Sequence, residues 1–208
     1  VNTRGPLVYI VDDDASVCRG LSLLLKSHGY KVQTFTRAAD FLACTHPKVP
    51  SCLVLDVQLP DMDGLALQDA MAARELAVPI VFITGHGDIP MSVKGMKAGA
   101  VDFLPKPFSA KQLLGAITQA VSKNKTQVKK LAEISKIKRR ISTLSPRELE
   151  VFQLVAKGMM NKEIAYKRGT ALQTIKVHRG RVMQKMKAQT VTELIHFAEE
   201  AGITSAPH

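Results

Sequence analysis

Four short apolar runs, each stopping at a polar step, constrain the first half of this chain more than any other feature. They are Leu7-Val-Tyr-Ile-Val before Asp12 and Asp13, Ser51-Cys-Leu-Val-Leu before Asp56, Pro79-Ile-Val-Phe-Ile before Thr84, and Ala100-Val-Asp-Phe-Leu-Pro before Lys106-Pro107. Runs of this length, separated by longer stretches of helical spacing, read as strands buried on both faces of a parallel sheet. Val17, Leu21, Leu24 and Leu25 predict a helix over Ala15–Ser27 that Gly29 ends. A strand Lys31–Phe35 and a short helix Ala38–Ala43 follow. Beyond the loop Val57–Asp63 and Gly64 comes a helix carrying Leu65, Leu67, Met71 and Leu76, and beyond Gly85-His86-Gly-Asp one carrying Met91, Val93 and Met96. Five βα units in succession predict an α/β fold, a doubly wound parallel sheet with right-handed crossovers and helices on both faces. A strand order of 2-1-3-4-5 would bring Asp12, Asp13 and Asp56 to neighbouring strand ends at the switch point, where such sheets bind ligands.

Three carboxylates, a hydroxyl and an ammonium at one sheet edge suit a divalent cation and a phosphoryl group. Mg²⁺ takes hard oxygen ligands, so Asp12 and Asp13, which would otherwise repel each other, are candidate ligands. Asp56, alone at its strand end, is the better nucleophile and would give an acyl phosphate. Lys106 and Thr84 can then meet phosphate oxygens. A bland reading makes Asp12–Asp14, Asp61 and Asp63 turn and helix-capping acids. A rival enzymatic reading takes Asp12-x-Asp14 as the pair of a haloacid-dehalogenase-type phosphatase. Ser16 stands where that pattern wants Thr or Val, and Asp56 is left without a task. Gly85-His86-Gly lacks the following Gly-Lys-Ser/Thr of a phosphate loop, so His86 is read as a loop residue.

At Val11-Asp-Asp-Asp14, Leu55-Asp-Val-Gln-Leu-Pro-Asp-Met-Asp-Gly64, Ile83-Thr-Gly85 and Lys106-Pro-Phe108 the chain resembles the receiver domain of two-component response regulators, over residues 7–123. The segment 85–108 is similar to the FixJ subgroup. The resemblance implies that Asp56 accepts a phosphoryl group from a sensor histidine kinase. It implies Mg²⁺ on Asp12, Asp13, Asp56 and the backbone carbonyl of Gln58, Lys106 on the phosphoryl group, and a Thr84–Phe103 switch pair. A cis Lys106–Pro107 bond, turning Lys106 inward, also rests on it. Gln58 stands where FixJ-like chains often carry Arg, beside the path of an attacking water, so the dephosphorylation rate is open.

The net charge of +11 is unevenly placed. Residues 1–120 hold 11 Lys/Arg and 11 Asp/Glu, whereas residues 121–208 hold 18 and 7. All the excess sits in the second part, which points to a polyanion such as nucleic acid. Residues 121–141 lack Gly and Pro, and Val121, Val128, Leu131, Ile134, Ile137 and Ile141 recur at helical spacing. They predict a basic amphipathic helix extending the last helix of residues 1–120 as a stiff linker. Two heptads do not decide between a dimer seam and docking on its own domains. Ser145, Pro146 and Glu148 form a capping-box start to a helix that Gly158 ends. Asn161–Gly169 and the very basic Ala171–Lys187 then read as a helix-turn-helix, followed by an amphipathic Thr190–Ala201.

Leu144-Ser-Pro-Arg-Glu-Leu-Glu-Val, Asn161-Lys-Glu-Ile-Ala and Thr174-Ile-Lys-Val-His-Arg resemble the LuxR-type helix-turn-helix, covering 142–203. That implies double-stranded promoter DNA as a partner, met by Lys176, Val177, His178, Arg179, Gly180, Arg181 and Lys185. It also implies a homodimer contact through Val191, Leu194, Ile195 and Ala198, with RNA polymerase as a further candidate partner. Two departures stand out. Ala171 cannot cap the recognition helix, and Gly180 inside it offers no side chain to a base edge; each costs about 1 kcal/mol of helix stability.

The expected organisation is a receiver over 1–120, a helical linker over 121–141 and an all-α DNA-binding domain over 142–208. Its function would be phosphorylation-dependent dimerisation and transcription control, with no catalysis beyond the receiver's own phosphotransfer and dephosphorylation. A constitutive DNA binder with a relic receiver is the rival. With 46% hydrophobic and 23% charged residues, no apolar stretch near the ~20 residues that span a bilayer, and Asp12–Asp14 interrupting any leader-like run, a cytoplasmic location is expected. Cys18, Cys44 and Cys52, without C-x-x-C spacing, read as free thiols.

Overall fold

The computed structural model describes residues 5–85 and 89–203, so the His86–Asp88 part of the loop read above lies outside the described residues. The chain divides into two compact units, Val1–Lys129 and Lys130–His208. The first contains β1 (Leu7–Val11), α1 (Ala15–Ser27), β2 (Lys31–Phe35), α2 (Ala38–Ala43), β3 (Ser51–Asp56), α3 (Gly64–Ala73), β4 (Ile80–Thr84), α4 (Ile89–Lys97) and β5 (Asp102–Pro105). It ends within α5 (Ala110–Ile141), a 32-residue helix whose last turns belong to the second unit.

All strand pairs are parallel, in the order β2-β1-β3-β4-β5. Side chains alternate across a strand, so each run feeds two cores. Val8 and Ile10 join Cys18, Leu21 and Leu25 of α1 and Leu113, Ile117 and Val121 of α5. Leu7, Tyr9 and Val11 join Phe41 of α2 and Leu65, Leu67 and Met71 of α3. Burial on both faces is why β1, β3 and β4 are apolar between their polar ends. At the edge, β2 exposes Lys31, Gln33 and Thr34, the polar surface that keeps an open strand from pairing with another chain. Register sets the rest: Val11 lies beside Leu55, Asp56 beside Ile83 and Thr84 beside Pro105, so the polar residues ending each run share one rim.

Several acids serve the backbone. Asp14 accepts from the Ser16 amide (2.7 Å) as N-cap of α1, and Asp63 from the Leu65 amide (3.1 Å) as N-cap of α3. At α2 the N-cap residue Arg37 makes no side-chain capping bond, and Asp61 reaches across to the Ala38 and Ala39 amides instead. For these three the capping reading is what the structure places.

The predicted linker is shared between the two units. Val121 is buried with the first core, and Asn124 accepts from the Ser51 amide (2.9 Å) while donating to the Ala77 carbonyl (2.8 Å). Ile137 is buried in the second core, and Leu131 between them is 51% exposed.

The second unit adds α6 (Pro146–Ala156), α7 (Asn161–Arg168), α8 (Leu172–Met186) and α9 (Val191–Glu200) to the end of α5. The capping box forms as read: the Ser145 hydroxyl accepts from the Glu148 amide and the Glu148 carboxylate from the Ser145 amide (2.8 Å). Gly169 closes α7 at φ 59°, where a Cβ would be strained. Ala171 precedes α8 without a side-chain cap, as its lack of an acceptor requires. Val151, Phe152 and Val155 of α6, Ile175, Val182 and Met186 of α8, and Leu194 and Ala198 of α9 form the core. This corrects the expected dimer contact. Leu194 and Ala198 are wholly buried in their own domain, so only the half-buried Val191 and Ile195 of that set reach the surface. Among the described residues no helix is long and apolar enough to cross a membrane.

Candidate acidic pocket and cationic helix face

The pocket is built where the ends of β1 and β3 meet the turn after β5. Asp12 follows β1 directly and is fully buried, Asp56 ends β3 and is 7% exposed, and Asp13 is exposed. One ligand atom from each lies within 4.8 Å of the others, an arrangement able to hold a metal ion. The two buried carboxylates use their oxygens alike. Asp12 Oδ1 accepts from the Asp14 amide (2.9 Å) and Asp56 Oδ1 from the Gln58 amide (3.0 Å). Their Oδ2 atoms both accept from Lys106 Nζ, at 2.9 Å and 2.6 Å. Each carboxylate is thus fixed by backbone on one side and faces the pocket with the other.

Lys106 comes from the turn after β5. Its amide donates to the Thr84 carbonyl (2.6 Å), and its bond to Pro107 is cis, as the resemblance implied. Thr84 is 1% exposed at the end of β4. Phe103 is half-buried, with its ring 5.6 Å from that of Phe82. Beneath the pocket, α3 starts against the strand: the Gly64 amide donates to the Val57 carbonyl (2.8 Å). A Cβ on Gly64 would stand 2.7 Å from the Asp56 carbonyl oxygen. Glycine is needed there for close approach.

Burial pushes the Asp12 carboxyl up, against the lowering effect of Lys106 and the Asp14 amide. Burial opposes the Lys106 charge too, but its hydrogen bonds to Asp56 and Asp12 outweigh that and raise it. The pocket holds three carboxylates against one ammonium, a surplus of negative charge on hard oxygen donors. That donor set fits a small divalent cation by charge and by ligand type.

The second surface lies on α8. Ile175, Val182 and Met186 turn inward, and Lys176, Val177, Gly180 and Arg181 are exposed on the opposite side. The helix contains no acid. The other three predicted contacts are partly engaged in their own domain. Arg179 donates to Asn161 Oδ1 (2.7 Å), His178 is half-buried, and Lys185 donates to Glu148 Oε2 (2.6 Å) and the Thr143 carbonyl (3.1 Å). Glu148 is 3% exposed; its bond with Lys185 first, and the Ser145 amide second, bring its carboxyl down to about 2. Arg140 completes the junction, donating to the Met186 carbonyl (3.1 Å) with its guanidinium 5.9 Å from the Phe197 ring.

Sequence reasoning missed Asn124, Gln68 (which donates to the Gly95 carbonyl at 3.2 Å) and the Glu148–Lys185 pair. For Glu148 the capping-box spacing was a signal, though only for the Ser145 half of its role. A polar residue on the apolar stripe of a helix, as Asn124 is, was the one available for the linker.

Comparison with known proteins finds a family match within each unit. Residues 8–118 match the family described as response regulator receiver domain, and residues 142–198 match the bacterial regulatory proteins of the luxR family. The chain is 45% identical over 199 residues to nodulation protein W of Bradyrhizobium diazoefficiens, covering 96% of this chain and 88% of that protein. It is 39% identical over 203 residues to the transcriptional regulatory protein FixJ of the same species, covering 98% of each. Among solved structures, the response regulator StyR matches at 45% identity and a TM-score of 0.83, over 94% of this chain and 99% of that one. Full-length FixJ from B. japonicum matches at 38% identity and a TM-score of 0.56, over 98% and 100%.

Proposed function

The chain belongs to the response regulators that join a receiver domain to a LuxR-family DNA-binding domain, and from that premise we propose a phosphorylation-controlled transcription regulator. A cognate sensor histidine kinase supplies the phosphoryl group. An Asp56 carboxylate oxygen attacks phosphorus, the P–N bond of the kinase phosphohistidine breaks, and the imidazole leaves with a proton. The observation that carries this reading is the meeting of Asp12, Asp56 and Lys106 at one rim, with Lys106 Nζ 2.6 Å from the proposed nucleophile. Asp12, Asp13, Asp56 and the Gln58 carbonyl would hold Mg²⁺, which when bound supplies a counter-charge for the transferred group. Lys106 turns from Asp56 to a phosphate oxygen without leaving the pocket, and Thr84 donates its hydroxyl to another.

Drawing Thr84 toward the phosphate lets Phe103 move inward beside Phe82 and alters the α4–β5–α5 face. Dimers then form, and two copies of α8 enter successive major grooves of promoter DNA. Lys176, Val177, Gly180 and Arg181 face base edges or backbone. RNA polymerase is a partner of the bound dimer, and the compartment is the cytoplasm. The test is labelling from acetyl phosphate with Mg²⁺. Asp56→Asn should take up no label, and label retained at wild-type level would move the nucleophile elsewhere. Duplex binding unchanged by phosphorylation would refute the switch while leaving DNA binding intact.

A further inference from the structure

The outward face of α8 has a gap in it. The exposed residues of α8 include Gln173, Val177, Gly180, Arg181 and Gln184 opposite buried Ile175, Val182 and Met186, with Thr174, Lys176 and Lys185 exposed at the flanks, so Gly180 is within the outward face. A glycine inside a helix weakens it relative to alanine. Packing does not offset that cost. A Cβ at Gly180 would meet no atom within 4 Å, and its φ is not in the left-handed range. Gly20 and Gly115 have equally open surroundings, but neither lies on the cationic helix. A helix in the major groove reads sequence through side-chain donors, acceptors and methyl groups aimed at base edges. At a rise of 1.5 Å per residue, neighbours on one helix face recur about every 5 Å, against 3.4 Å per base pair, so one blank position on that face is on the scale of one to two base pairs.

Resting on the DNA-binding reading above, we propose that Gly180 leaves one base pair in each half-site unread. Sequence preference is relaxed there, and residue 180 determines the specificity of the domain at that base pair. Lys176 and Arg181 on either side keep the helix attached by charge, so affinity survives the gap while discrimination at that position does not. The ligand class is double-stranded DNA whose half-site has one tolerant position flanked by selective ones.

The experiment selects duplexes from a random library with the full-length phosphorylated protein. It then measures Kd for all four bases at each half-site position, for the wild type, Gly180→Ala and Gly180→Lys. The wild type should show one position with less than about a twofold spread between bases, beside positions with spreads of about fivefold or more. Gly180→Ala should keep that pattern with equal or tighter binding. Gly180→Lys should acquire about a fivefold or greater preference for guanine at the tolerant position, because lysine donates to guanine O6 and N7. Both variants raise helix propensity in open space, and a circular-dichroism melt checks that they fold. A wild-type half-site with no tolerant position overturns the proposal. So does a Gly180→Lys gain spread evenly over all bases, or a severalfold loss with Gly180→Ala, which would mean that the glycine serves close approach. Failure of the wild type to select any duplex would count instead against the DNA-binding reading.

Discussion

Replacing Glu148 by glutamine isolates one buried charge in the DNA-binding unit. Glu148 Oε2 accepts from both the Ser145 amide and Lys185 Nζ, and the side chain of Glu148 is 4% exposed while that of Lys185 is 39% exposed. Glutamine keeps an acceptor for the Ser145 amide but loses the charge. The carboxyl is held at about 2 rather than 4.5. A difference of about 2.5 units corresponds to a ceiling of about 3 kcal/mol. Solvent screening at the half-exposed lysine brings the expected loss to about 2 kcal/mol. The sign follows from the depressed value: the stabilisation is complete above the unfolded value near 4.5 and fades as pH falls toward 2. Urea-dependent hydrogen exchange read by mass spectrometry reports peptides of α6 and α8 separately from those of β1–β5. At pH 7, Glu148→Gln should lower protection in α6 and α8 by about 2 kcal/mol and leave the sheet unchanged, and the gap should narrow below pH 4.5. A variant within about 0.5 kcal/mol of wild type at pH 7, the range of an ordinary surface substitution, would refute the buried-pair argument.

Lys106→Ala removes the cation that Asp12 and Asp56 share. It should tighten Mg²⁺ binding in calorimetry while slowing acetyl-phosphate labelling about tenfold or more, and weaker Mg²⁺ binding would mean that Lys106 orders the site rather than competing for it. Gly64→Ala drives a methyl to 2.7 Å from the Asp56 carbonyl oxygen and 2.9 Å from Val57 Cα, both backbone atoms. A loss of about 2 kcal/mol in urea unfolding of the receiver is expected, and an unchanged midpoint would contradict the close approach of α3.

Legibility in the sequence followed how local the determining physics is. The central strands β1, β3 and β4 are buried on both faces, so their runs announced themselves, and the polar residue at each run's end marked the rim. The two capping residues Ser145 and Glu148 were readable because their partners lie three residues apart. What failed was the partner assigned to the apolar stripe of α9. Leu194, Ile195 and Ala198 are all apolar positions of an amphipathic α9, yet Leu194 and Ala198 fill their own core. Periodicity gives a stripe and not its occupant. The same limit applied to the linker, where one regular stripe holds Val121 in the first core, Leu131 in solvent and Ile137 in the second core. Long-range polar partners such as Asn124 with Ser51, or Lys185 with Glu148, leave no spacing to read.

The bond made by Asn124 sets where this chain can be cut. A receiver fragment ending at residue 120 would delete the amide that satisfies the Ser51 nitrogen and the Ala77 oxygen, exposing two backbone groups at the foot of the sheet. A regulatory fragment starting at residue 142 would shed Ile137 and Arg140, uncovering the base of α8 and α9. Either piece, prepared at those limits, would understate the solidity of the domain it was meant to represent.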